Sequence, residues 1–269
     1  MDAAVDAAAP GDTVTVRPGT YAGDVVVDVA DLTFAGDGDA VVSVAADGVT
    51  VAGLRVENPG GLLGIKARAG LSGVTIRENR VSNVGPFGRL GVSGIIAAAG
   101  QDDLAVVGNS LSGLREEASG VAAQGIFLDD QSGTSADVRI AGNEVSDVRT
   151  NFGAIGILLQ VAGATVENNR VRGLRGIFAQ GANFDGSAGD IRLAGNTFED
   201  VSGSQFPGEG IKIDGGDVSA FTITANVLLA PVGIKNDTSE KVTVGAVDYT
   251  PWNVGRIGSG NGNTCRGGQ

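Results

Sequence analysis

A short phrase built around asparagine recurs along the chain, and it limits the possible folds more than any other feature. Two of its clearest copies are "IRENRVSNVG" from Ile76 and "VENNRVRGLRG" from Val166. An apolar residue lies three positions before each asparagine and another lies two positions after it. Units of this length are typical of solenoids and propellers. The asparagines, 26 to 34 residues apart, are Asn79, Asn109, Asn143, Asn169, Asn196 and Asn226.

Each unit holds three runs of four or five residues that alternate apolar and polar, separated by Gly, Asn, Asp and Ser. No unit has the 3.6-residue apolar period of a helix, so a helical solenoid is excluded. Three short strands per unit, stacked in parallel, predict a parallel β-helix. In this fold we expect each asparagine to occupy a left-handed turn position and to bond the next coil through its amide, forming an internal ladder.

The start of the chain carries a resemblance to a known family. The stretch "AAVDAAAPGDTVTVRPGTYAGDVVV", Ala3–Val27, resembles the segment that begins the first coil in pectin-lyase-fold proteins, the right-handed parallel β-helix superfamily. Together with the repeats, the resemblance extends over about residues 3–245. It implies an all-β, single-stranded, right-handed parallel β-helix with a short N-terminal capping helix. It implies no single activity, because the superfamily includes lyases, hydrolases, epimerases, phage tailspikes and adhesins.

We expect one β-helix domain over residues 1–269. Residues 1–12 form the N-terminal cap, residues 13–245 the coils, and residues 246–269 a C-terminal cap or tail in which Trp252 covers the last coil. Caps are required because the open end of a solenoid is an exposed sheet edge.

Composition excludes several functional classes. The chain has no histidine and a single cysteine, Cys265, which removes Ser–His and Cys–His catalysis, histidine metal ligands and an internal disulfide framework. With 31 acidic and 19 basic residues it is unsuited to nucleic acid. No apolar run approaches the roughly 18–20 residues of a membrane span. We expect an extracellular or cell-surface protein, although the chain shows no leader.

Candidate binding residues follow a column that begins with Gly-Ile on successive coils. If each Ile faces inward, the following residue faces outward, and so does the residue two further on. These two outward rows combine an apolar stripe with carboxylates and amides, as in a sugar-binding groove. The predicted substrate-binding residues are Phe127, Asp129, Gln160, Phe178 and Gln180. The alternative is that a loop or a partner chain covers the stripe.

Candidate catalytic residues lie at the C-terminal end of the same rows. Lys212 and Lys235 occupy one row and Asp214 and Asp237 the next, on adjacent coils about 4.8 Å apart. The paired carboxylates are candidates for the acid and base of glycoside hydrolysis, or for ligands of a calcium ion. A lysine with a lowered pKa is a candidate base for a polysaccharide lyase. The alternative is a ladder of surface ion pairs without catalysis.

Two functions therefore remain open. The first is a carbohydrate-active protein, a polysaccharide lyase or glycoside hydrolase, whose partner is a polysaccharide or a surface glycan. The second is a non-catalytic adhesin, spike or structural module, with a homotrimer as one form of assembly.

Overall fold

Three strands per turn wind the chain into a parallel β-helix. The computed structural model describes residues 1–187, 189–217 and 220–237, and the backbone of four short strands beyond them. A helix, α1 (Asp2–Asp6), precedes the first strand and buries Val5, so the predicted N-terminal capping helix is confirmed. Trp252 and most of the predicted C-terminal cap lie outside the described residues. No helix in the described part of the chain is long and apolar enough to span a membrane.

The strands form three faces, which we name in the order in which the repeating coils visit them. The first face is a sheet of nine strands: β1 (Thr13–Val16), β3 (Thr33–Gly36), β5 (Thr50–Ala52), β8 (Thr75–Arg77), β11 (Ala105–Val107), β14 (Val138–Ala141), β17 (Gly163–Glu167), β20 (Asp190–Ala194) and β23 (Thr222–Thr224). The second face contains β6 (Arg55–Pro59), β9 (Arg80–Gly85), β12 (Ser110–Glu116), β15 (Glu144–Thr150), β18 (Arg170–Gly176), β21 (Thr197–Gly203) and β24 (Val227–Leu229).

The third face carries the Gly-Ile column. It contains β2 (Thr20–Val27), β4 (Asp39–Val44), β7 (Leu63–Ala67), β10 (Val92–Ala98), β13 (Ala123–Asp129), β16 (Gly153–Leu159), β19 (Phe178–Asp185), β22 (Glu209–Asp214) and β25 (Val232–Asn236). Four further strands follow: β26 (Val242–Val244), β27 (Val247–Tyr249), β28 (Val254–Gly255) and β29 (Thr264–Cys265). Coils stack in parallel because each strand pairs with its equivalent on the next coil, as β13 does with β16.

One inward column of the third face tests the predicted register. Its buried members are Ile65, Ile95, Ile126, Ile157, Ala182, Ile211 and Ile234, each paired with the next. The prediction was wrong for Ile177, which is only partly buried and lies in the corner between β18 and β19. There its backbone N–H donates to Phe152 O at 2.6 Å. Gly181-Ala182 occupies the Gly-Ile position of that coil instead.

The asparagines form a continuous buried ladder, as predicted. Asn169 is representative: its Nδ2 donates to Asn196 Oδ1 at 2.9 Å and to Ile140 O at 2.8 Å. Its Oδ1 in turn accepts from the backbone N–H and the Nδ2 of Asn143. The left-handed residue of the turn precedes the asparagine, as at Asn168 with φ 55°, so the expected backbone role was misplaced by one position.

The connections from the second to the third face differ in length. The connection is six residues long at 86–91 and again at 117–122 on the next coil. It shortens to two residues at 151–152 and to Ile177 alone on the following coil, then lengthens to five at 204–208. The short connections leave a gap between longer ones along this edge of the β-helix.

Candidate functional site

An open groove of about 430 Å³ runs along the outer side of the third face, over its C-terminal coils. Five residues predicted from the sequence line it: Phe178, Gln180, Lys212, Asp214 and Lys235. Strands β16, β19, β22 and β25 supply most of its floor, and the connections at 117–122 and 204–208 contribute to its walls.

Polar side chains on the floor of the groove are deeply buried. Asn183 Nδ2 donates to Gln180 Oε1 at 3.0 Å, and Gln180 Nε2 donates to Glu209 Oε2 at 2.8 Å. All three residues are more than nine-tenths buried. Asn183 Oδ1 has no hydrogen-bond partner among the described residues. A buried carbonyl oxygen without a donor is costly, so a ligand hydroxyl or a water that reaches this atom would gain a hydrogen bond.

Two lysines and three carboxylates form an ion-pair cluster at the C-terminal end of the groove. Lys212 Nζ is buried and contacts Asp237 Oδ2 closely, with Asp214 Oδ2 at 3.6 Å. Lys235 Nζ lies 3.1 Å from Glu209 Oε1 and 3.4 Å from Asp237 Oδ2. The Asp214 side chain remains 51% exposed, so it is the carboxylate of this cluster most accessible to a ligand.

The ion pairs determine the pKa values inside the cluster. Burial would raise the pKa of Asp237, but the hydrogen bonds and charges of Lys212 and Lys235 lower it below its ordinary value. Burial would lower the pKa of Lys235, but Glu209 and then Asp237 raise it. The expected lysine base with a lowered pKa is therefore wrong for Lys235, since this lysine remains charged well above neutral pH.

Apolar side chains line the opposite side of the groove. Ile155 and Leu158 come from β16, and Phe178 comes from the start of β19. Phe178 is held edge-on against Phe152, with ring centroids 5.0 Å apart and planes at 78°. Phe206, on the connection at 204–208, is 57% exposed. The groove thus presents exposed ring surface opposite a polar, charged floor.

The remaining predicted binding residues lie beside the groove rather than in it. Phe127 pairs in register with Leu158 but is absent from the lining. Asp129 is exposed at the end of β13. Gln160 is buried, and its Nε2 donates to Asp185 Oδ2 at 3.1 Å, so it supports a lining carboxylate.

The misplaced register at Ile177 explains which residues the sequence reasoning missed. Phe178 and Gln180 were assigned to the two rows that Lys212 and Asp214 occupy. The observed partners of Lys212 and Asp214 are Asn183 and Asp185. Gln180 pairs instead with Glu209, in the outward row that precedes the Gly-Ile positions.

A signal for Glu209 was present in the sequence. In a regular strand, an outward residue and an inward residue are separated by an odd number of positions. Glu209 lies two positions before the inward Ile211, so a regular strand would point its side chain inward. The alternation is interrupted at Gly210, and Glu209 lines the groove together with its register partner Gln180. Inspecting the residue before each Gly-Ile pair, as well as those after it, would have found Glu209, which precedes Gly210-Ile211.

The described residues do not fit the calcium ion considered from the sequence. They contain no group of three or more acidic or cysteine side chains able to hold a metal. Asp214 and Asp237 both face the ammonium group of Lys212, which occupies the position a cation between them would take. The lysines therefore neutralise the carboxylates without a metal.

Comparison with known proteins supports the architecture. A family model described as a right-handed beta helix region matches residues 20–198, more than half of the 269 residues. This agrees with the right-handed parallel β-helix predicted from the sequence. No curated protein matches the chain.

Proposed function

The chain belongs to the right-handed β-helix family, and from that premise we propose that it is a carbohydrate-active protein whose groove binds and hydrolyses a polysaccharide. The observation that carries the proposal is Asn183 Oδ1, which has no hydrogen-bond partner in the part of the chain that the structure describes and is buried on the floor of an open groove with an aromatic wall. Because such a polymer is met outside the cell, the proposal includes an extracellular or cell-surface location.

The two sides of the groove suit the two kinds of surface on a sugar. The apolar C–H faces of a pyranose ring would pack on Phe178 and Phe206, which line the groove. Sugar hydroxyl groups would donate to Asn183 Oδ1 and to Asp214. Ligand sites generally combine apolar walls with a few polar groups that fix orientation.

Charge favours an uncharged sugar at the cluster. Asp185, Glu209 and Asp214 line the groove together with two lysines, and Asp237 contacts both lysines from outside the lining. Carboxylates therefore outnumber ammonium groups, so a uronate carboxylate would be repelled at this point. The raised pKa of Lys235 also argues against lyase chemistry, which needs an uncharged base.

Hydrolysis needs two carboxyl groups with different roles. Asp214 is the most exposed carboxylate of the cluster and lines the groove, so we assign it the acid–base role. Two other carboxylates line the groove: Asp185, which accepts a hydrogen bond from Gln160, and Glu209, which is fixed by Gln180 and Lys235. We assign the second role to Glu209. Asp237 positions Lys212, rather than acting as the base expected from the sequence.

Products from a panel of neutral polysaccharides test the proposal. Hydrolysis releases reducing ends without the ultraviolet absorbance of an unsaturated product. The variant Asp214→Asn should lose turnover and keep the melting temperature of the wild type. Asp190→Asn, an exposed change on the first face, is the matched control and should keep full activity. Unsaturated products, or an active Asp214→Asn variant, would contradict the proposed chemistry.

One observation favours a non-catalytic module as the second candidate. Lys212, Lys235, Glu209 and Asp237 neutralise one another without a ligand, as in an ion-pair ladder that only stabilises the coils. In that case the panel would show glycan binding without products. A homotrimer measured by light scattering would favour a spike or adhesin.

A further inference from the structure

Three arginines are stacked on consecutive coils of the second face, close to the edge where it turns into the third. Arg115 pairs in register with Arg149, and Arg149 with Arg175. Their side chains are 51%, 59% and 43% exposed, respectively. We name this set the arginine column. It stands out on a chain whose net charge is −12.

The arginine column is only partly neutralised by its neighbours. Asp147 contacts both Arg115, at 3.4 Å, and Arg149, at 2.5 Å, and Asp200 contacts Arg175 at 2.5 Å. Within the described residues, two carboxylates thus make ion pairs with these three guanidinium groups, and two more, Glu116 and Glu117, line the adjacent cavity. Arg149 donates to Asp147 through Nε, and its two terminal nitrogens make no hydrogen bond within the part of the chain that the structure describes.

A second open cavity, of about 480 Å³, lies against the arginine column. Its lining includes the hydroxyl groups of Ser202 and Ser204 and the amide of Asn151, which keeps one N–H besides the one donated to Glu117 O, and these are suitable donors to an anion. The hydroxyl of Thr150, also in the lining, already donates to Val121 O.

Two carboxylates also line this cavity. Glu117 is exposed there. Glu116 is buried, and it accepts hydrogen bonds from the backbone N–H groups of Phe87, Gly88, Glu117 and Ala118. Burial alone would raise the pKa of Glu116, but these hydrogen bonds lower it below its ordinary value. The negative charge of Glu116 is therefore compensated by backbone N–H groups of the neighbouring connections.

The second cavity and the proposed glycan groove adjoin at the gap between the longer connections. Ile177 lines the second cavity and the next residue, Phe178, lines the groove. On the following coil, Ser204 lines the second cavity and Phe206 lines the groove. Because the connections at 151–152 and 177 are short, an extended chain crossing this edge meets no long loop there.

We infer that the arginine column is a second subsite that binds an anionic substituent, a carboxylate or a sulfate, on the glycan held in the groove. The inference rests on the proposed function and adds a substrate class: a glycan that is uncharged at the acidic groove and charged on the adjacent sugars. Guanidinium groups suit this role because their planar donors match carboxylate and sulfate oxygens in pairs.

Binding of three dextrans tests the subsite in about 0.15 M salt, where long-range charge effects are screened. The polymers are dextran sulfate, carboxymethyl-dextran and unmodified dextran. We expect at least one anionic polymer to bind more tightly than dextran. Arg149→Gln should weaken that binding about tenfold, the loss typical of one charge-assisted contact. Arg139→Gln is the matched control, since Arg139 is equally exposed and ion-paired, to Glu167, but lies on the first face.

The outcomes separate the subsite from the proposed function. A preference for one anionic polymer would identify the substituent as sulfate or carboxylate. No preference over dextran, or an equal loss in Arg139→Gln, would overturn the subsite. Turnover of a neutral polysaccharide is measured on the wild type, and the preference for an anionic polymer is measured as binding, so each result stands without the other. Failure of the subsite thus leaves hydrolysis in the groove standing, and the reverse also holds. Arg175→Gln is a second variant of the arginine column. Equal melting temperatures of Arg149→Gln, Arg175→Gln and Arg139→Gln would establish that the substitutions do not affect folding.

Discussion

Replacing Asn169 by alanine tests whether the buried ladder holds the coils together. The side chain makes four hydrogen bonds: two donated by Nδ2, to Ile140 O and Asn196 Oδ1, and two accepted by Oδ1 from Asn143. The substitution leaves the Asn143 N–H without this acceptor and Ile140 O without this donor. Asn196 Oδ1 still accepts from the Asn169 backbone N–H, and Asn143 Nδ2 still donates to Val106 O.

The magnitude follows from the two backbone groups that lose these partners. Each buried group left unpaired costs about 1–3 kcal/mol, so the free energy of unfolding should fall by about 2–6 kcal/mol. The matched control is Asn151→Ala, because Asn151 is exposed and donates one side-chain hydrogen bond, to Glu117 O. That control should cost about 1 kcal/mol or less.

Urea unfolding followed by far-ultraviolet circular dichroism measures both variants. The midpoint of Asn169→Ala should fall well below that of Asn151→Ala, with a similar dependence on urea. Glycan binding by the folded variant should persist, because Asn169 does not line the groove. Equal midpoints for the two variants would refute the structural role of the ladder. Full stability with lost activity would instead make the ladder part of the site.

The other predictions concern packing, ion pairing and pH. Gly156→Ala should cost about 1–3 kcal/mol, since the added Cβ would lie 2.5 Å from Gly181 O, whereas Gly163→Ala meets nothing closer than 3.6 Å; thermal melting of the pair checks this. Lys212→Met removes the buried partner of Asp237 and should lower the unfolding free energy by about 1–3 kcal/mol. The loss is smaller than for a fully buried ion pair because Lys235 still contacts Asp237. An unchanged urea unfolding midpoint would contradict this prediction. The pKa of Asp237 is lower in the folded state than in the unfolded state, where it is about 3.9. Its contribution to stability is therefore present above a pH of about 3.9 and is lost as the pH falls through the folded pKa. Asp237→Asn should accordingly flatten the acid limb of a curve of unfolding free energy against pH.

The coil architecture was predictable because the buried position that hydrogen-bonds one coil to the next is occupied by asparagine on successive coils. A buried side chain that must donate and accept between coils favours asparagine, and the spacing of Asn79, Asn109 and their equivalents therefore revealed the period. Alternating apolar residues then predicted the strands, and the helix before Pro10 predicted the cap. These signals are local and repeated, so one irregular coil does not obscure them.

The groove was less predictable because its register depends on corners that the repeat does not specify. A Gly-Ile pair looks the same in sequence whether it lies within a strand or at a corner, and the structure places Gly176 at the end of β18 and Ile177 in the corner. That shift placed Gln180 opposite Glu209 and Asn183 opposite Lys212. The ion pairs of the lysines likewise depend on side-chain directions across two coils, which spacing alone does not fix.

The structure of the Asp214→Asn variant with an oligosaccharide bound is the most direct test of the central claim. The oligosaccharide should come from a polymer that the wild type hydrolyses. We expect a sugar hydroxyl to donate to Asn183 Oδ1, with a ring packed on Phe178 or Phe206 beside position 214. A ligand bound on another face, or a groove that stays empty at saturating oligosaccharide, would contradict it.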